Sequence, residues 1–173
     1  MDANSDPAHM IYFDHAATSL PRNPNALSQA NEAAAFGNPR RGHHGLQARA
    51  STALDDARAS VTALAGFGET AFLSSATHSL NQAIIGWKPK PLAVAIGPMS
   101  HNAIRRPVLR LGVPSWTLPH LDDGTIDLAR LEECWEHGTG LVVLTHGSNI
   151  TGLLQPVAQV AEFAQSKGAA VIV

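Results

Sequence analysis

The chain has 173 residues, 45% of them hydrophobic, with 12 Lys and Arg against 14 Asp and Glu, a formal charge of −2. This composition excludes a disordered chain and offers no basic excess for a phosphate backbone, so nucleic acid is not an expected partner. A single cysteine, Cys134, leaves no internal disulfide or cysteine-based zinc cluster, no apolar run reaches the ~18 residues that span a bilayer, and the polar start MDANSDPAHM is unlike a leader peptide, so a cytoplasmic protein with no membrane partner is expected.

Ile11-Tyr12-Phe13 is a short β-prone run followed by a Pro-bearing loop, and Ala-rich Asn23 to Phe36 reads as a helix stopped by Gly37-Asn38-Pro39. Leu54, Ala57, Val61, Leu64 and Ala65 form one helical stripe that Gly66 can end. From there the pattern alternates. Strands are expected at Thr70 to Ser75, Pro91 to Ile96, Pro114 to Leu118, Leu141 to Thr145 and Ala169 to Val173. Helices are expected at Thr77 to Gly86, His101 to Gly112, from an Asp127 cap through Leu128, Leu131 and Trp135 on one face, and around Val157, Val160, Ala161 and Ala164.

Alternating strands and helices with short connections predict an α/β fold: three α/β/α layers with a mainly parallel sheet. The continuous apolar runs LAVAI, LVVL and AAVIV fit strands covered on both faces. The chain stops inside such a run, at Ala170-Val171-Ile172-Val173, so a cut sequence is expected.

In an open parallel sheet, ligands bind at the carboxyl ends of the strands. Three such ends carry polar residues. Ser74-Ser75-Ala76-Thr77-His78 opens a helix, and reads either as an ordinary Ser/Thr cap or as a phosphate cradle with Thr77 adding a hydroxyl. His101 follows Gly97-Pro98-Met99-Ser100, and can stack on a planar ligand or fill a loop; Asn149 follows Thr145-His146-Gly147-Ser148, and can bond a ligand oxygen.

Five segments in order, IYFDHAATSLP (11–21), GNPRRGHHGLQARA (37–50), FLSSATHSLNQAIIG (72–86), SHNAIRRP (100–107) and LTHGSNITGLLQPV (144–157), resemble the class V aminotransferase-fold enzymes that use pyridoxal 5'-phosphate, and among them the cysteine desulfurases. The resemblance covers the chain from Ile11 onward. It implies the large domain of the fold type I transferases, incomplete here, with residues 21–173 its N-terminal part and residues 1–20 a segment of the small domain and substrate pocket. It implies that Ala76 and Thr77 hold the cofactor phosphate, that His101 stacks on the pyridine ring and assists proton transfer, and that Asn149 lies beside the ring and the substrate carboxylate. His15, Ala16 and Ala17 match the loop lining the substrate pocket. Gly37-Asn38-Pro39, the stretch around His43, Gly152 and Gln155-Pro156 match scaffold positions.

Three positions depart from the family's usual residues. His15 stands for Asn, His78 for Glu, and Ser100 for an acidic residue. The resemblance also implies an Asp, a Gln, a Ser-x-His-Lys motif with the cofactor-bearing Lys, a persulfide-bearing Cys and a carboxylate-binding Arg that this chain does not contain. Its only lysines are Lys88, Lys90 and Lys167; the first two flank a Pro at the far end of a strand, and Lys167 closes a helix, so none has the desolvated setting of a Schiff-base Lys. Cys134 lies within an amphipathic helix and reads as packing. His43, His44, His101 and His146 have no metal-binding spacing and no acidic neighbour, and no metal is expected.

The reading that results is the N-terminal portion of a desulfurase-like enzyme converting L-cysteine to L-alanine, homodimeric when complete. The alternatives are another class V aminotransferase, a selenocysteine lyase, or an inactive or split half needing a C-terminal partner in cis or in trans. As it stands the chain is expected to be inactive.

Overall fold

The computed structural model describes residues 11–173, which divide after Phe72 into two compact units. Residues 1–10 of the expected N-terminal segment lie outside the described residues.

The first unit holds two helices, α1 (Pro24–Ala33) and α2 (Gly45–Ala65). Asn23 caps α1 by accepting the Asn25 amide at 2.9 Å, with Pro24 in the first turn, where a missing N–H costs nothing. The helix ends at Ala33, a few residues before the Gly-Asn-Pro stop. His44 caps α2, its Nδ1 accepting from the Gln47 amide at 3.2 Å, and Gly66 closes it at φ +83°, a backbone region that favours glycine. Arg49 joins the two helices through Glu32, at 2.9 Å, and through the Phe36 ring, 4.9 Å below its guanidinium.

The second unit is an α/β layer structure. Four parallel strands, β1 (Ala93–Ile96), β2 (Ser115–Thr117), β3 (Thr139–Val143) and β4 (Ala170–Ile172), lie in the order β2-β1-β3-β4. Val94 pairs with Ser115 on one side and Leu141 on the other. Because side chains alternate across a sheet, Val94, Ile96, Leu141 and Val143 face one layer, where they pack with Ile84 of α3 (Ala76–Gly86) and with Ile104 and Val108 of α4 (Asn102–Arg110). Ala95, Val142 and Leu144 belong to the opposite core, with Leu118, Ile126, Leu131 of α5 (Leu131–Cys134) and Val160 and Ala164 of α6 (Val157–Ser166). These are the three layers expected from the alternating pattern.

Three expected elements differ. Ile11 to Phe13 and Thr70 to Ser75 form no strand, because a β-strand needs a neighbour to complete its ladder and neither segment pairs with a described residue. Thr70 instead shares a 2.7 Å hydroxyl bond with Thr62, and Ser75 becomes a helix cap. The helix expected from Asp127 through Trp135 is a 3-10 turn (Leu128–Arg130) followed by the single-turn α5. Asp127 does cap it, accepting from Ala129 at 3.1 Å. Leu128 is exposed rather than sharing a face with buried Leu131. The chain leaves the helix at Trp135, whose extended backbone lets the indole meet Trp116 and Phe163 edge-on at 5.7 and 5.3 Å. Aromatic packing overrides helical continuation here.

Candidate functional site

The strand order places a site. From β1 the chain passes through α4 on one face to β2; from β3 it passes through α6 on the other face to β4. Where connections leave adjacent strands toward opposite faces, a crevice opens at their carboxyl ends. Two loops border this one, Gly97 to His101 after β1 and Leu144 to Pro156 after β3. They carry His101 and Asn149.

The first loop is held by its own carbonyls. Buried Ser100 donates its hydroxyl to Gly97 O at 2.7 Å, and Arg105, one turn into α4, donates to Ser100 O at 3.0 Å and to Pro98 O at 3.3 Å. His101 is the N-cap of α4 and is exposed; its Nδ1 accepts from the Ala103 amide at 3.1 Å. A neutral ring so engaged carries its proton on Nε2. Ser100, a departure from the family's acidic residue, thus closes the loop by hydrogen bonding alone. Nothing in the sequence reading identified Arg105, since it acts on backbone oxygens and has no motif of its own.

The second loop turns on Ser148, which is buried. Its hydroxyl accepts from the amides of Ile150 at 3.3 Å and Thr151 at 3.2 Å, its carbonyl accepts from Gly152 at 2.9 Å, and its amide donates to Leu153 O at 2.9 Å. Gly152 sits at φ +74°, which explains its place in the motif. Asn149 rides at the head of this turn, exposed. The loop is tied to the rest of the unit by buried Gln155, whose Oε1 accepts from Ile126 at 2.9 Å and whose Nε2 donates to Gly124 O at 2.8 Å.

Ala76 and Thr77 are the first two residues of α3. The helix, about 16 Å long, packs beside α4 and ends at Gly86, a few residues before β1 begins at Ala93. Ser75 Oγ accepts the His78 amide at 3.1 Å, while the amides of Ala76 and Thr77, at the open end of the helix, bond no described residue. Ser75 is thus the cap, and the pair of amides beside it is left without an acceptor among the described residues.

His15, Ala16 and Ala17 form an exposed turn in the first unit. Ala17 and Thr18 donate to Asp14 O at 3.0 and 3.1 Å, Tyr12 donates its hydroxyl to Thr18 O at 2.6 Å, and the Tyr12 and His15 rings meet edge-on at 4.8 Å. Among the described residues, no group of three His, Cys, Asp or Glu side chains could hold a metal ion. None of their helices is long and apolar enough to cross a membrane. Cys134 is half-buried at the end of α5.

A three-layer domain with a parallel sheet whose strand order reverses between β1 and β3 is an α/β domain of the doubly wound kind. The chain belongs to the class-V aminotransferase family, whose sequence pattern matches residues 11–173. It is 32% identical over 171 residues to a cysteine desulfurase IscS of Shewanella denitrificans, covering 91% of this chain and 42% of that protein. An IscS of Proteus mirabilis matches to the same extent. Among solved structures, a NifS-like protein superposes with a TM-score of 0.82 at 25% identity, over 93% of this chain and 47% of that one. The apo structure of a cysteine desulfurase from Thermococcus onnurineus gives 0.78 at 26% identity, over 93% and 42%. The chain therefore spans less than half the length of these relatives.

Enzymes of this family depend on pyridoxal phosphate. The donor set fits its phosphate: two unpartnered amides at the start of an 11-residue helix, with the Thr77 hydroxyl beside them, match the charge and the hydrogen-bond deficit of a phosphate dianion.

Proposed function

We propose that the chain is the N-terminal portion of a pyridoxal-phosphate-dependent cysteine desulfurase, a cytoplasmic homodimer when complete. The observation that carries this reading is the strand-order reversal, which makes the ends of β1 and β3 neighbours and so brings the loops bearing His101 and Asn149 to one sheet edge. The similarity to cysteine desulfurases supports the reaction. L-Cysteine loses its sulfur, as a persulfide, to an enzyme thiolate and leaves as L-alanine.

The amides of Ala76 and Thr77 and the Thr77 hydroxyl hold the phosphate. When bound, the cofactor supplies an electron sink for bonds at the substrate's α-carbon. His101 covers the ring and moves protons through Nε2, its Nδ1 being fixed by the Ala103 amide. Asn149 bonds the ring edge and the substrate carboxylate, and His15, Ala16 and Ala17 line the substrate pocket. In this assignment residues 1–20 are a segment of the small domain and substrate pocket, and residues 21–173 are the N-terminal part of the large domain.

The chain's own lysines are unsuited to covalent cofactor attachment. Lys88 and Lys90 are exposed in the connection entering β1 at its amino end, and Lys167 pairs with Glu132 at 2.6 Å. Cys134 belongs to the packing of α5. The attaching Lys, the persulfide Cys and the carboxylate-binding Arg are therefore supplied by another segment, in cis or in trans, and this chain alone is inactive.

The test is alanine and sulfide release from L-cysteine by the full-length protein carrying this chain, with selenocysteine and transamination substrates in parallel. Cysteine-dependent alanine formation is expected, weakened by Thr77→Ala and by His101→Ala. Amino transfer to a keto acid without sulfur release would make it a different class V enzyme.

A further inference from the structure

A hairpin ties the two loops of the crevice together. It follows β2, whose parallel pairing with β1 opens its end on the same sheet edge, and it closes through the His120–Ile126 bridge. Gly124 lies in its turn at φ +88°, its amide donating to Leu121 O at 3.0 Å. From the second loop, buried Gln155 holds this turn by donating to Gly124 O at 2.8 Å and accepting from Ile126 at 2.9 Å. From the first loop, Met99 rests on the same glycine. A Cβ added at 124 would lie 3.1 Å from both Sδ and Cε of Met99 and 3.6 Å from its Cγ. Favourable contacts between such atoms lie at about 3.5–4.0 Å, so the thioether fills the space that a side chain at 124 would need. Met99 stands two residues before His101, between the Pro98 and Ser100 carbonyls that Arg105 holds. Those two bonds join the loop to the first turn of α4 as one piece, so a shift of Met99 carries to His101.

We propose that Gly124 is a positioning residue for His101. Lacking a side chain, it seats Met99; its carbonyl being fixed by Gln155, it sets the first loop against the second and so places His101 relative to Asn149. The proposal rests on the roles given to His101 and Asn149 in the desulfurase reading. The positive φ alone does not demand glycine, because asparagine also adopts this region. The contact with Met99 does.

The test uses the full-length protein carrying this chain. It reads turnover of L-cysteine per bound cofactor, together with amide exchange at Ala103, whose N–H donates to His101 Nδ1 at 3.1 Å. Gly124→Asn keeps the backbone conformation and adds the side chain, so turnover should fall about tenfold and exchange at Ala103 rise about tenfold, at unchanged cofactor content. Met99→Ala vacates the seat. Alone it should slow turnover about threefold, and added to Gly124→Asn it should bring turnover back to that same level, where independent losses would multiply to about thirtyfold. A glycine serving only its turn would show neither the loss nor the rescue. If Gly124→Asn does not fold, Met99→Ala alone decides, with slower turnover and faster Ala103 exchange expected. Wild-type turnover and exchange in either single variant, or multiplied losses in the double variant, would overturn the proposal. Amide exchange does not depend on the reaction. A wild-type protein that forms no alanine from cysteine, while Gly124→Asn still speeds exchange at Ala103 and Met99→Ala reverses it, would sink the desulfurase reading and leave the role of Gly124 standing.

Discussion

Replacing Gln155 by Leu should destabilise the second unit by about 2–4 kcal/mol. The side chain is 5% exposed and spans two backbone groups, accepting from Ile126 N at 2.9 Å and donating to Gly124 O at 2.8 Å. Ile126 is 2% exposed, so its orphaned N–H has no water to turn to and costs about 1–3 kcal/mol. Gly124 is only half-buried and can rehydrate, so its loss is nearer the net worth of one hydrogen bond, about 1 kcal/mol. Leu matches the amide in size and adds no cavity, which isolates the polar contribution. Gln155→Glu sharpens the reasoning. It keeps an acceptor for Ile126 but sets a carboxylate oxygen against the Gly124 carbonyl, and should be at least as damaging. The assay is urea unfolding followed by tryptophan fluorescence, Trp87, Trp116 and Trp135 all lying in this unit, with amide exchange read at Ile126. A loss below about 0.5 kcal/mol with Ile126 still protected would mean that the amide contacts do not hold the loop.

Thr77→Ala should weaken pyridoxal phosphate binding about ten- to hundredfold, read by equilibrium dialysis, while His101→Ala should slow turnover about a hundredfold with a smaller change in cofactor affinity. Borohydride treatment of the chain with pyridoxal phosphate should label none of Lys88, Lys90 or Lys167 stoichiometrically; peptide mapping that finds one fully modified would reassign the attachment site. Leu141→Ala, at a fully buried position between β1 and β4, should cost about 2–5 kcal/mol by denaturant titration. The Thr125 amide, 2.8 Å from Asp123 Oδ1, and then the Thr125 hydroxyl hold the Asp123 carboxyl below its ordinary value of 3.8. That lowering adds stability that is present above 3.8 and fades as pH falls through the lower folded value, so Asp123→Asn should flatten the acid limb of a stability profile taken between about pH 5 and about pH 2.

Local chemistry made most of the second unit legible. LAVAI, LVVL and AAVIV became β1, β3 and β4 because a run apolar at every position suits only a strand covered on both faces. Asp127 and Gly66 act at the helix ends where they were expected, since capping depends on one side chain or one backbone angle and its nearest neighbours. Thr77, His101 and Asn149 were legible as strand-end polar groups, whereas the roles proposed for them, and the choice of His15, Ala16 and Ala17, came from resemblance to a family.

What the sequence could not decide were pairings between distant segments. Thr70 to Ser75 has strand-like composition, but no neighbour completes its ladder. Trp135 lies on a helical stripe, yet it leaves the helix to reach Trp116 and Phe163, 19 and 28 positions away. The order β2-β1-β3-β4, which makes the ends of β1 and β3 neighbours and so sets His101 and Asn149 on one edge, is written in no single run of residues. Gln155 shows the same division. Its place in a motif was visible, but its partners lie 29 and 31 residues back along the chain. Capping and periodicity are governed by contacts within a turn or two and can be read from the chain. Register and closure depend on which distant surfaces exclude water together, and only the folded structure decides that.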